Sequence, residues 1–236
     1  MMQAVLLALG LAGVALPAAP ARADPVALPP PGREPWRAVV FPKIPRRTRY
    51  EAVVVDGVAA VRADADCSAS GLYLELHDVD LARTPRLAWR WRVLTPLDVA
   101  DERTKAGDDF AARVYLTFAL DEARASLVER LRRRLAVALF GEAIASSSLT
   151  WVWASRVPPG TRWDSPYAGE VKLTALASGP GAGWRGETVD VVAEYRRRFD
   201  RPPAPLQAVA LMTDADGVCG RARAEYAELR FLPAAR

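Results

Sequence analysis

Apolar and polar residues alternate along segment after segment of this chain, and that period of two most narrows what it can fold into. A half-buried strand points successive side chains to opposite faces of its sheet, so alternation writes one core face and one solvent face. Leu72, Leu74 and Leu76 alternate with Tyr73, Glu75 and His77. Leu87, Trp89, Trp91 and Val93 alternate with Arg86, Ala88, Arg90 and Arg92, and Val114, Leu116 and Phe118 with Arg113, Tyr115 and Thr117. Leu149, Trp151 and Trp153 continue the pattern, as do Ala227, Leu229 and Phe231. Residues 50–55 and 58–62 flank Asp56-Gly57, a two-residue hairpin turn. Residues 206–212 are apolar on both faces, which suits a central strand.

Two segments depart from the alternation. Over residues 121–140, Asp121 can cap a helix whose Leu127, Val128, Leu131, Leu135, Ala138 and Leu139 form one apolar stripe. Residues 188–199, ending before Pro202-Pro203, predict a second, shorter helix. With no internal repeat and no linker, eight or more strands with one or two inserted helices predict a mostly β chain. The expected fold is a single antiparallel β-sandwich of jelly-roll type over residues 36–236.

Residues 1–23 read as a signal peptide. An apolar run precedes Pro17, and small residues end in Ala21-Arg22-Ala23, an A-x-A cleavage pattern. A Pro-rich extended leader follows over residues 24–35. The apolar run is too short to span a bilayer, and no later stretch is longer. The expected location is therefore the periplasm or the outside of the cell. Such a compartment permits a disulfide between Cys67 and Cys219, with two unpaired thiols as the alternative.

Charge and chemistry exclude more than they assign. Lys and Arg number 32 against 28 Asp and Glu, and all the basic residues but Lys43, Lys105 and Lys172 are Arg. The longest basic runs, at residues 132–134 and 196–198, lack the clustering and aromatic interleaving of a phosphate-tracking surface, so nucleic acid is not an expected partner. His77 is the only histidine, on a polar strand face, and no nucleophile elbow, H-E-x-x-H or P-loop is present. Gly181-Ala-Gly183-Trp-Arg-Gly186 matches the dinucleotide fingerprint, yet no second βαβ half accompanies it, and it reads as a surface loop.

Two sets of polar residues remain as candidates. Asp108 and Asp109 in one loop, and Asp214 and Asp216 in another, could bind a ligand, hold Ca²⁺ through hard oxygens, or supply an acid and a base for glycoside hydrolysis. They could also simply form turns. Arg86, Arg90 and Arg92 on one strand, with Arg113 and Tyr115 on another, would make a basic, partly aromatic face if those strands are neighbours. Guanidinium groups on such a face bind carboxylates and phosphates, and the alternative is a solvated sheet face.

Ser68-Ala-Ser-Gly71-Leu72, Leu87-Ala-Trp-Arg-Trp-Arg-Val93, Gly107-Asp-Asp-Phe-Ala-Ala-Arg-Val-Tyr-Leu116, Leu149-Thr-Trp-Val-Trp-Ala154 and Val209-Ala-Leu-Met-Thr-Asp-Ala-Asp216 together resemble the bacterial exported family catalogued as domain of unknown function 3047. The likeness runs from about Tyr50 to Phe231 and implies no activity or catalytic residues. The layout is also similar to galactose-binding-like jelly rolls, a likeness of fold and not of site. After Asp216 this chain reads Gly-Val-Cys-Gly-Arg, where that family's pattern implies a more polar turn. The expected function is an exported, non-catalytic binding module for a cell-envelope or extracellular glycan, an acidic glycan or another envelope component being the partner. Arg90, Arg92, Arg113 and Tyr115 would contact ligand, and Asp108, Asp109, Asp214 and Asp216 would bind ligand or Ca²⁺. The alternatives are a carbohydrate-active hydrolase or lyase using the acidic loops, and a structural envelope protein.

Overall fold

A computed structural model describes residues 23–119, 147–181 and 183–235. The helix expected over residues 121–140 and nearly all of the expected signal peptide lie outside the described residues. Among those residues the strands run in order β1 (Val26–Ala27), β2 (Arg37–Val39), β3 (Arg49–Val55), β4 (Val58–Asp66), β5 (Ala69–Glu75) and β6 (Arg86–Thr95). After them come β7 (Ala112–Phe118), β8 (Ser147–Ala154), β9 (Arg162–Asp164), β10 (Val171–Ser178) and β11 (Arg185–Asp190). Helix α1 (Val191–Phe199), β12 (Leu206–Asp214) and β13 (Arg221–Leu232) complete the fold.

The strands form two sheets packed face to face. One has the order β11-β6-β13-β4-β3, with β1 paired to β13, and the other β2-β5-β12-β7-β8-β10-β9. Consecutive strands repeatedly change sheet, so β4-β13-β6-β11 faces β5-β12-β7-β8. That interleaving of four strands from each sheet is a jelly roll. Hairpin β3–β4 turns at Asp56 and Gly57, whose φ angles of 53° and 77° are those a type I′ turn requires. Strand β12 is indeed central, flanked by β5 and β7.

Three details depart from the expected layout. The β8–β10 pair is parallel, so the second sheet is mixed. Residues 188–190 belong to β11, which pairs with β6 from Arg185 to Asp190, and α1 starts only at Val191. An edge strand of mostly polar residues writes no apolar alternation, and Asp190 serves as the helix cap, accepting the Ala193 N–H at 2.8 Å. The proline-rich segment, expected to be extended throughout, is extended only as far as Pro30 and turns over residues 31–35, and it lies against the sandwich. Leu28 N–H donates to the Leu229 carbonyl, and the Trp36 indole N–H donates to the Pro29 carbonyl.

Tryptophans hold the sheets together. Trp89 and Trp91 on β6 meet Trp151 and Trp153 on β8 across the interior, with ring centroids 5.4 Å apart for Trp89–Trp151 and 5.8 Å for Trp91–Trp153. Such pairs add about 0.5–1.5 kcal/mol each to the area they bury. At one end of the sandwich, Cys67 after β4 and Cys219 before β13 form a disulfide. Among the described residues no helix is long and apolar enough to cross a membrane.

Candidate functional site

The polar residues of β7 leave the core on the outer face of the second sheet. Register places Tyr73, Ala210 and Tyr115 in one cross-strand row over β5, β12 and β7, and Gly71, Met212 and Arg113 in the next. Arg37 on β2 extends the tyrosine row by one strand. Ala210 has almost no side chain, so the two half-buried tyrosines stand either side of a shallow floor, about 10 Å apart at twice the strand spacing. The Tyr115 hydroxyl reaches the Met212 sulfur at 3.7 Å.

Where this face meets the loop end of the sandwich, the acidic loops converge on Arg113. Its Nε donates to Asp214 Oδ1 at 2.9 Å, its Nη2 to Asp214 Oδ2 and the Asp108 carbonyl, and its Nη1 to Asp108 Oδ1 at 3.2 Å. The Phe110 ring lies 4.3 Å from the guanidinium carbon. Asp214 also exchanges backbone contacts with Phe110, which donates its N–H to Asp214 Oδ1 and accepts the Asp214 N–H. Asp109 accepts the Val218 N–H at 2.6 Å, and Gly217 allows this approach, since a Cβ there would sit 3.0 Å from Asp109 Oδ2. The Arg113 N–H donates to the Tyr226 hydroxyl of β13, which carries the network into the other sheet.

Burial sets the charge balance. Asp109 and Asp214 are each only 2% exposed, and Arg113 is 4% exposed. Desolvation, opposed by the guanidinium and reinforced by Asp109 and Asp108, pushes the Asp214 carboxyl up to about 7. Burial also raises the half-buried Asp108 and Asp216, with Asp109 adding to each. Asp108 and Asp214 thus share one guanidinium, with the carboxylates of Asp109 and Asp216 crowded beside Asp214. Asp109, Asp214 and Asp216 offer oxygens within 4.8 Å of one another, a set from which a hard divalent cation takes ligands. Arg113 already engages both oxygens of Asp214, so a cation there would have to displace it. On the rim, Tyr167 is 66% exposed, donates its hydroxyl proton to the Lys105 carbonyl, and feels the charges of Asp108, Asp216 and Asp109.

The structure therefore brings Asp108, Asp109, Asp214, Asp216, Arg113 and Tyr115 together and separates them from Arg90 and Arg92. Strand β6 lies in the first sheet and β7 in the second, so the expected common basic face does not exist. Arg92 donates to Glu225 at 2.6 Å, and Arg90 lies 3.5 Å from Glu228. Both flank the Trp184 ring, at 4.9 and 5.2 Å. Alternation tells which side of a strand is polar and nothing of which sheet the strand joins. Tyr73 and Tyr167 join the site from outside the expected set, and Tyr73 carries one sequence signal, as a polar-face aromatic on a predicted strand. In the glycine-rich segment, β11 follows the loop directly, and Gly186 lies within that strand, so no helix N-terminus meets a phosphate there.

Fold and site together define a jelly-roll β-sandwich with a tyrosine-lined sheet face beside a buried acid–arginine cluster. Residues 34–230 match the family described as protein of unknown function (DUF3047), and the chain belongs to that family. No curated protein matches it. Among solved structures it is similar to the family 11 carbohydrate-binding module from Clostridium thermocellum in complex with a β-1,3-1,4-mixed-linked tetrasaccharide. That match has 8% identity and a TM-score of 0.45, covering 89% of this chain and 96% of that one. The family 11 module of the cellulosomal cellulase Lic26A-Cel5E of Clostridium thermocellum gives 9% identity and a TM-score of 0.46, covering 91% and 97%. The xyloglucanase domain of NopAA, a type three effector from Sinorhizobium fredii, in complex with cellobiose, gives 6% and 0.33, covering 85% and 96%.

Proposed function

We propose that this chain is an exported, non-catalytic glycan-binding module of the cell envelope or extracellular space, and that an oligosaccharide lies along the outer face of the second sheet. One observation carries the reading: the Tyr73–Ala210–Tyr115 row, flanked by the Arg113 cluster. Aromatic rings offer apolar faces to the C–H surfaces of sugars, and carboxylates accept hydroxyl protons. Tyr73 and Tyr115 supply the platform, Asp108 and Asp216 supply half-buried acceptors, and Tyr167 supplies an exposed ring at the rim. Arg113, Asp109 and Asp214 position these groups.

The same geometry selects the charge of the ligand. Carboxylates outnumber guanidiniums at this end of the sheet, which disfavours the acidic glycan expected from the arginine-bearing strand faces and favours a neutral one. Ca²⁺ is a competing occupant of the acidic cluster, because it would take oxygens that Arg113 now holds.

The test is a thermal-shift and calorimetric screen of the full chain against neutral polysaccharides, each with added Ca²⁺ and with EDTA. A neutral glycan that raises the melting temperature, and whose affinity falls in Tyr73→Ala and Tyr115→Ala, supports the reading. A binding glycan indifferent to both substitutions overturns this site. Loss of binding in EDTA assigns the cluster to the ion.

Asp214 favours a hydrolytic reading in one respect, since a carboxyl near 7 suits a general acid. Its oxygens are nonetheless engaged by Arg113 and the Phe110 N–H, and a general acid must be within reach of the glycosidic oxygen. Release of reducing ends from a bound glycan, abolished in Asp214→Asn, would establish that reading instead.

A further inference from the structure

The outer face of the first sheet, on the opposite side of the sandwich, carries a second arrangement that the tyrosine face does not use. Its residues form a checkerboard of charge in register across four strands. One row runs Glu51, Arg62, Glu225 and Arg92 over β3, β4, β13 and β6, and the next runs Arg49, Asp64, Arg223 and Thr95. A third begins with Asp66 opposite Arg221. Cross-strand pairs of opposite charge stabilise a sheet by roughly 0.2–1 kcal/mol each, which alone explains why the pattern is tolerated.

Depth distinguishes this face from a merely solvated ladder. Glu225 is fully buried and holds two arginines, Arg62 at 2.7 Å and Arg92 at 2.6 Å. Asp64, with 20% of its side chain exposed, likewise holds Arg223 on one oxygen and Arg49 on the other at 3.5 Å. The arginines stand higher: the side chain of Arg49 is 70% exposed, that of Arg223 49% and that of Arg221 80%. Glu225 and Asp64 thus lie beneath and fix the guanidiniums, each of which keeps donors its partner does not accept. Beside these rows lies a depression of about 590 Å³ lined by Arg49, Asp64, Asp66, Thr95, Arg221 and Arg223. Its volume lies within the range of small-molecule sites.

We propose that this depression is a second saccharide site, selective for a sugar that bears a carboxylate together with free hydroxyls, as in a uronic-acid oligosaccharide. Four guanidiniums, those of Arg46, Arg49, Arg221 and Arg223, against three carboxylates, those of Glu51, Asp64 and Asp66, favour a single anionic group, which a guanidinium pairs with bidentately. Asp66, with 56% of its side chain exposed, and the Thr95 hydroxyl accept protons from the sugar hydroxyls. The interleaved acids Glu51, Asp64 and Asp66 repel a densely charged strand such as a nucleic acid, so sparse anionic charge on a polyhydroxyl backbone fits and uniform charge does not. This site stands apart from the tyrosine face, and its failure leaves that reading untouched.

The experiment titrates the full chain with tetragalacturonate, with its methyl ester, and with inorganic phosphate, following backbone amide shifts. Tetragalacturonate is expected to shift amides of β4 and β13 around Asp66 and Arg221, and the ester to bind at least about tenfold more weakly. Arg221→Gln, which leaves Asp66 its contact with Arg46 at 3.3 Å and so keeps the fold, should weaken the acid at least about threefold, and Arg49→Gln with Arg223→Gln should weaken it further. The proposal is overturned if acid and ester bind alike, if phosphate at equal concentration competes fully, if shifts fall only on the second sheet, or if no variant loses affinity.

Discussion

Arg113 and Asp214 face each other across adjacent strands with both carboxylate oxygens on the guanidinium, although 101 positions separate them in the chain. Neither side chain reaches bulk water, and the pair joins the two acidic loops to the second sheet. An ion pair of this kind gains little over well-packed apolar residues, but breaking it leaves an uncompensated charge.

Arg113→Ala should therefore destabilise the fold by about 3–5 kcal/mol, because Asp214 and Asp108 lose their counter-charge at once. Asp214→Asn should cost less, since the amide oxygen still accepts from Arg113 and the like-charge crowding with Asp109 falls. Urea unfolding of both single variants and the double variant measures the coupling. A double variant whose loss equals the sum of the singles would contradict a direct pair.

Tyr73→Ala and Tyr115→Ala should each lower affinity for a neutral glycan by about 1–2 kcal/mol, the scale of an aromatic contact that loses its ring. Tyr→Phe at each position separates ring from hydroxyl. Retention of most of the affinity in both Phe variants is expected, and calorimetry of the four variants against one glycan reads it. Melting temperatures should change little at Tyr73, which is half-buried on the outer face.

How far the sequence discloses these features depends on their range. The hairpin at Asp56-Gly57 and the strands carrying Leu72–Leu76, Leu87–Val93 and Val114–Phe118 are local patterns of period two, and the structure has them all. Asp108, Asp109, Asp214 and Asp216 stand out as acidic turns, but their convergence on one arginine is a fact of topology. The same holds for Arg90 and Arg113, which alternation shows as polar and which only the sheet order places on opposite faces. Cysteine count left the bridge open; Cys67 and Cys219 meet because β4–β5 and β12–β13 turn at the same end. Strand β11 was hidden because edge pairing needs backbone groups and not apolar side chains.

Stability should fall as pH rises from about 4 to about 7. Asp214 titrates near 7 in the fold and near 3.9 when unfolded, so between these values the native state binds the extra proton. Stability then drops with rising pH, and the loss is complete above 7. Asp108 and Asp216, raised by burial, act in the same direction. Thermal melts from pH 4 to 8 should show a declining midpoint through this window, and Asp214→Asn should flatten the decline. A midpoint that climbs through the window in the native chain and is unaltered by the substitution would contradict a buried, raised Asp214.

Removing the disulfide should act on stability and on the acidic cluster together. Cys67 and Cys219 are 152 positions apart, and a loop of that size constrains the unfolded chain by about 5 kcal/mol in the entropy model, with 2–4 kcal/mol the usual measured range. Cys67→Ser with Cys219→Ser should therefore lower the melting temperature by several degrees or more. The bridge also pins the loop of residues 215–220, where Ala215 N–H donates to the Ser68 carbonyl and Cys67 N–H to the Gly220 carbonyl. That loop supplies the Val218 N–H that Asp109 accepts and carries Asp216 beside Asp214. Loosening it leaves Asp109 with one fewer donor among its like-charged neighbours. The double variant should consequently lose glycan affinity beyond what its melting temperature explains, measured well below the transition. Full affinity in a folded double variant would show that Asp109 and Asp216 keep their places without the bridge, and would confine the bridge's effect to the unfolded state.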